Sequence, residues 1–493
     1  MRPLYDKERH EILESLRNRF AWAGDASRQP QGDPYWHHFL PVARHLRAFD
    51  RDVVLVLGER GAGKSQLFQG VIARKGFDIL LPYMGNVRFP EGAVDWLTGF
   101  DGTTGDFPDY KGLKRCLEEG GNNPDQNAMD LWMAYLLRTV KGHLSPSAVK
   151  RLHTLLEPPG GDATSVVRAM ASLKDTPTLI LDTLDQELIK KGLTLVVGYD
   201  ELDSLGGFDY SLMRDALRGL IGFWAHYSKR WQNIRGKIFM RTDLFRQFGS
   251  LLGPDLSKLA ANRVEIEWSD DELRTLLCKR ILNSHKLFQR IAKSTGCDWS
   301  KDSQIGLVPK QKKAGDWRPF IEEVISPYMG ANIKKGYTWY WLIDHIRDGK
   351  GKASPRPLLL MFEQAAEIEE RQSYANGTQV LNHSALRAAL DSVSKEEVNK
   401  AKELPWLEGL SKGLKGLHVP IEREEVVKRI RDRWRQSWSK QTNQPPPAES
   451  ADAFLDLLID WGIFSRRSNG KLDVPDLYRV GLQMLRKGGV KIG

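Results

Sequence analysis

The sequence predicts an α/β fold built on a parallel sheet, followed by a mainly helical domain and a small α+β domain at the C-terminus. Three observations carry this. The runs DVVLVLG ending at Gly58, LTLVVGY ending at Tyr199 and KIFM ending at Met240 have the length and continuous apolar character of strands buried on both faces. After Trp268 the apolar residues recur at helical spacing instead. Near the end, Asn469-Gly470 stands between two short extended stretches, the signature of a tight hairpin.

A chain of 493 residues exceeds the size at which one hydrophobic core keeps growing. Composition shifts divide it into a helical segment over 1–50, an α/β core over 51–268 with an insertion at about 82–190, a helical domain over 269–395 and a last domain over 396–493. With 41% hydrophobic and 28% charged residues the chain belongs to the globular class and not to the disordered or fibrous ones. Its 73 basic against 63 acidic residues permit attraction to nucleic acid without requiring it. Cys116, Cys278 and Cys297 stand at spacings that suit neither a disulfide framework nor a zinc cluster, so a reducing, cytoplasmic setting is expected. The N-terminal stretch is charged throughout and has no apolar signal-peptide core. The apolar runs are strand-sized, short of the ~20 residues of a membrane helix, so no membrane partner is expected.

Taken in order, residues 1–50 read as a helical preface to the strand that ends at Gly58. Apolar runs at Phe77–Leu81, Leu193–Val197, Lys237–Met240 and Val264–Ile266 are the further strand candidates. From Arg88 to Pro124 the sequence is rich in Gly, Asp and Pro and reads as irregular, with helices at Met129–Val140 and Ser145–Leu156. Ser269 followed by three acids predicts a capped helix start, and SPRP opens a helix over Pro357–Arg371. In the tail a charged helix, the break QTNQPPPAES, an apolar helix ending near Gly462 and the Asn-Gly hairpin make a winged-helix pattern.

The strongest chemical signal is GERGAGKS, residues Gly58, Glu59, Arg60, Gly61, Ala62, Gly63, Lys64 and Ser65, with Gln66 opening the helix that follows. Glycines let the backbone curl so that its N–H groups and the helix N-terminus surround phosphates, Lys64 neutralises the terminal oxygens and Ser65 ligates Mg²⁺. This spacing between a strand and a helix predicts binding of ATP with Mg²⁺.

Hydrolysis needs an acid near the metal and a second acid to orient water. LTLVVGYDELD supplies Asp200 for the metal and Glu201 for the water, with Asp203 the substitute if the register moves by a turn. KIFMRTDLF ends in Arg241 and Thr242, candidates for a γ-phosphate sensor, although polar strand ends are common in any α/β protein.

In this order GERGAGKS, VVGYDELD, KIFMRTDLF and SPRPLLLMFEQAAE resemble the motifs of AAA+ ATPases and their STAND and KAP relatives, from bacteria or archaea. The resemblance implies a P-loop NTPase parallel sheet with a helical lid domain and a small α+β winged-helix-like C-terminal domain. It implies an ATPase, an oligomerising switch or motor. It makes Arg356 a second-sensor arginine of the lid and Arg263 a candidate arginine finger before the fifth strand, with a charged strand edge an equal reading of Arg263. The same resemblance implies an effector protein as partner, as in anti-phage defence. The tail cations Arg429, Arg433, Arg466, Arg467 and Lys471, with Trp434 and Trp438, suit phosphate backbone or a solvated face, which leaves open a nucleotide-regulated DNA- or RNA-binding protein. No LSGGQ-like segment of an ABC or SMC ATPase is present.

Overall fold

The computed structural model describes residues 6–20, 35–85, 87–89, 92–103, 107–119, 124–157, 163–207, 209–249, 259–311, 315–372, 379–400, 405–433 and 448–487. Contacts divide the chain into two compact units, Pro41–Glu267 and a second formed by Met1–Leu40 with Trp268–Gly493.

The first unit is built on a five-stranded, all-parallel sheet: β1 (Leu55–Gly58), β2 (Ala93–Phe100), β3 (Leu193–Tyr199), β4 (Ile234–Arg241) and β5 (Val264–Ile266). Their spatial order is β2-β3-β4-β1-β5. β1, β3 and β4 are interior strands covered on both faces, so β1 and β3 run almost without a polar interruption, while β4 carries Arg235 and Lys237 among its buried residues. β2 is an edge, so it tolerates Asp95 and Thr98 and reads poorly as a strand. The sequence placed a strand at Phe77–Leu81. The chain is instead helical over Phe77–Leu80, and the strand lies later, at Ala93–Phe100, inside the stretch read as irregular. A short apolar run fits a buried helical turn as well as a strand.

The stretch 82–190 contributes to the same core as the sheet. Its helix Pro124–Thr139 packs on Tyr210–Tyr227 so closely that a Cβ on Gly219 would stand 2.3 Å from the Ala128 Cβ. Trp132 donates its indole N–H to the Ala216 carbonyl at 2.8 Å, and Trp132, Trp224, Leu195, Val197, Ile238 and Met240 share one buried cluster. At the entry to β1, the buried Lys237 of β4 donates to the carbonyls of Asp50 and Val53, and burial pulls its ammonium down to about 7.

In the second unit Ser269 caps the helix Asp270–Leu282, as the sequence predicted, and also forms a capping box with Glu272. The helix Asp6–Phe20 lies on Pro355–Gln372, with the Phe20 and Phe362 rings stacked at 5.5 Å. A further helix, His383–Lys400, occupies a stretch too polar to stand out in the sequence. A two-stranded hairpin, β6 (Trp299–Asp302) with β7 (Gly306–Pro309), follows the helix Lys286–Ser294.

The C-terminal part carries the winged pattern. Helices Pro405–Leu414, Arg423–Arg433 and Ala451–Asp460 accompany a parallel pair, β8 (His418–Val419) with β11 (Leu485–Arg486), and the antiparallel hairpin β9 (Ser465–Arg466) with β10 (Leu472–Asp473). Gly470 turns that hairpin at φ 81°. Val426, Ile430, Phe454, Leu458 and Phe464 form its core.

Candidate functional site

The site lies at the carboxyl ends of β1, β3 and β4. After Gly58 the backbone turns through Gly61 and Gly63, at φ 76° and 98°, into a helix that begins at Lys64 and runs on as a π-helical turn to Ala73. A Cβ on Gly58 would stand 3.2 Å from that of Ile266 and 3.3 Å from that of Ala62. The loop therefore needs glycine both for its left-handed turns and for its tight seat between β1 and β5. No side chain caps the N-terminus at Gly63, so its backbone N–H groups keep the capacity to meet an anion. Lys64 folds back onto the loop and donates to the carbonyls of Gly58 at 2.9 Å and Glu59 at 3.1 Å. Burial draws its ammonium down to about 8, against the pull of Asp200.

β4 lies between β1 and β3, so the P-loop strand and the acidic strand are not neighbours. Even so, the Ser65 hydroxyl hydrogen-bonds the Asp200 carboxylate. Asp200 is 3% exposed, and burial raises it to about 6, with Ser65 and Lys64 opposing. Its Oδ2 has no hydrogen-bond partner among the described residues. A buried carboxylate oxygen left open beside a serine hydroxyl is a donor set that suits a hard divalent cation such as Mg²⁺. Ser65 and Asp200 are the residues that would hold it.

Glu201 adopts a left-handed backbone, φ 53°, an uncommon state for a side chain other than Gly, Asn or Asp. Its carboxylate lies over the loop that follows β2, and a Cβ on Gly102 would be 2.6 Å from its Oε2. Gly102 was not singled out in the sequence, where it is one glycine among 44.

The register Gly58↔Arg241 puts the end of β4 level with the start of the phosphate loop. Arg241 Nε donates to Asp243 Oδ1 at 3.1 Å and Nη2 to Oδ2 at 2.7 Å, while Nη1 reaches Asp203 Oδ2 at 3.4 Å. The guanidinium is held even more firmly charged than usual despite its burial, and Asp243 is held below the ordinary carboxylate range by Arg241 against its own burial. Thr242 is buried at the same strand end. Asp243 was missed in the sequence, where Arg-Thr-Asp shows only an acid two residues from an arginine.

The remaining candidates stand on other elements. Arg263 is exposed ahead of β5, paired with Glu265 at 3.0 Å and bonded to the Ala260 carbonyl at 2.9 Å. Arg356 is half-buried in the first turn of the helix Pro355–Gln372, in the second unit. In the tail Arg466 pairs with Asp456 at 2.7 Å, Arg467 with Asp473 at 2.5 Å and Lys471 with Glu422 at 2.5 Å. Trp434, Trp438 and the Arg433 side chain lie outside the described residues. No group of three or more His, Cys, Asp or Glu among the described residues forms a metal cluster, and no helix among them is long and apolar enough to cross a membrane.

The first unit is a five-stranded parallel α/β sheet with a glycine-rich phosphate-loop motif at the carboxyl end of β1. No family model matches the chain, and no curated protein does either. Among solved structures the chain is similar to the ORC2 protein of Aeropyrum pernix in its ADPNP–ADP complexes, at 14% identity and TM-score 0.37 with 92% of each chain covered. It is similar to the Walker-type ATPase of Pyrococcus abyssi, at 14% identity and TM-score 0.36, over 89% of this chain and 93% of that one. The Aeropyrum pernix ORC1 protein in complex with DNA follows at 12% identity and TM-score 0.35, over 95% and 90%.

Proposed function

We propose that the chain binds ATP with Mg²⁺ at the loop Gly58–Ser65 and hydrolyses it. The observation that carries this is the hydrogen bond between Ser65 and Asp200, which leaves Oδ2 of a buried carboxylate open beside a glycine-rich phosphate loop. When bound, Mg²⁺ would neutralise phosphate charge. Lys64, now satisfied by two loop carbonyls, is placed to exchange them for phosphate oxygens, a stronger charge-assisted bond. Glu201, next to Asp200 in the chain, is the carboxylate for the attacking water. Its carboxylate lies beside Gly102.

Phosphate release from ATP in the wild type, with Lys64→Ala and Glu201→Gln inactive, tests this reading. Nucleotide binding without turnover under any condition would leave a nucleotide-gated scaffold.

The finer reading is a AAA+/STAND-like switch or motor that changes its oligomeric state with nucleotide. It is supported by the motif order and by the winged C-terminal part. Arg356 as the lid sensor and Arg263 as the finger for a neighbouring subunit belong to it. Mass in solution with ATP and Glu201→Gln tests it, and a permanent monomer would contradict it. An effector partner, as in anti-phage defence, rests on the resemblance of the motifs alone and is tested by co-purification. The alternative reading, a nucleotide-regulated nucleic-acid binder, is supported by the winged pattern. Against it, the wing cations Arg466, Arg467 and Lys471 already meet carboxylates of the same chain.

A further inference from the structure

We propose that Asp243, assisted by Asp203, sets how strongly this site distinguishes a nucleoside triphosphate from a diphosphate, by keeping Arg241 in an ion pair that the γ-phosphate must displace. The proposal rests on the nucleotide-binding reading above and deepens it. Arg241 ends β4 level with Gly58, on the strand that separates the phosphate loop from the acidic strand. Its side chain is 18% exposed and that of Asp243 is 11% exposed, so the pair is sheltered from solvent. Two parallel bonds occupy Nε and Nη2, and the remaining arm, Nη1, reaches across to Asp203 on the loop after β3.

Lys64 feels Asp200, Arg241, Asp203 and Asp243 together, so five charged groups from the ends of three strands share one field. A guanidinium in a bidentate pair offers the same fork to a carboxylate and to a phosphate. A triphosphate differs from a diphosphate by its terminal phosphoryl group, which adds negative charge at the end of the chain that Lys64 and the sensor strand serve. That group competes with Asp243 and Asp203 for Arg241 and is repelled by both carboxylates. A diphosphate makes no such demand. The ion pair therefore lowers triphosphate affinity selectively and holds the site poised between the two ligands.

The test is titration calorimetry of the full chain with Mg²⁺ and either a non-hydrolysable ATP analogue or ADP. Asp243→Asn keeps the side-chain volume while removing the charge, and is expected to raise the ratio of triphosphate to diphosphate affinity about tenfold, or ~1.4 kcal/mol. Asp203→Asn, at a more exposed and longer contact, raises it by a smaller factor, about threefold, and supplies an independent reading if Asp243→Asn folds poorly. Arg241→Ala brings the ratio toward one, and adding Asp243→Asn to it changes nothing further. An unchanged or lowered ratio in both Asn variants, or a gain that persists without Arg241, overturns the proposal. A wild type that binds neither ligand overturns the nucleotide reading itself, and this proposal with it, a result distinct from a wild type that binds both with an unaltered ratio in the variants.

Discussion

Ser65 and Asp200 are joined by a hydrogen bond although their strands, β1 and β3, are separated by β4. The contact needs the strand ends to be staggered so that a serine from the first turn of a helix meets a carboxylate two strands away. It makes the metal position a product of sheet order, and not of either motif alone.

Asp200→Asn tests the cost of that arrangement. Burial lifts Asp200 from 3.8 to about 6 in the folded chain, so the folded state holds its proton more tightly than the unfolded state. The stability penalty is full above pH 6 and is relieved as pH falls through 6 toward 4. The Asn variant without nucleotide should melt a few degrees higher than wild type at pH 7.5, on the order of 1 kcal/mol, with the gap narrowing at pH 5. Scanning calorimetry at the two pH values checks this, together with loss of Mg²⁺-dependent nucleotide binding.

Lys64→Ala should weaken ATP binding about 10- to 100-fold with a smaller change in melting temperature, because the two carbonyl bonds and the attraction to Asp200 that are lost are offset by relief of a buried charge. Titration with a fluorescent ATP analogue and a thermal melt measure the two effects separately.

Much of this site was legible from residues. The phosphate loop follows from spacing between an apolar strand and a helix, and Asp200 and Glu201 follow from their position after the buried run Leu193–Tyr199. β2 was not legible, because an edge strand carries Asp95 and Thr98 among its apolar residues and so breaks the pattern. The Arg241–Asp203 contact joins the end of β4 to the loop after β3, and the Gly102–Glu201 contact joins loops brought together by pairing of β2 with β3, which no local spacing encodes.

Gly102→Ala adds a Cβ at φ 74°, 2.6 Å from Glu201 Oε2. The strained backbone costs about 1–2 kcal/mol, and the Glu201 carboxylate must leave its seat. Steady-state kinetics should show an altered kcat, with ATP affinity within about twofold of wild type. Unchanged kcat would separate the loop after β2 from the water-orienting acid.

In the tail, replacing Arg466 and Arg467 by alanine should alter DNA affinity at 0.1 M salt by less than about threefold, since each is already neutralised by a carboxylate. Fluorescence anisotropy with a labelled duplex measures this. A larger loss would show that these cations leave their partners for phosphate.

The central claim is tested most directly by phosphate release from Mg²⁺–ATP with the wild type and Glu201→Gln, alongside ATP binding by both. The account predicts turnover in the wild type, a fall of about 10²- to 10⁴-fold in the variant and retained ATP binding. Equal turnover in the two proteins would contradict it.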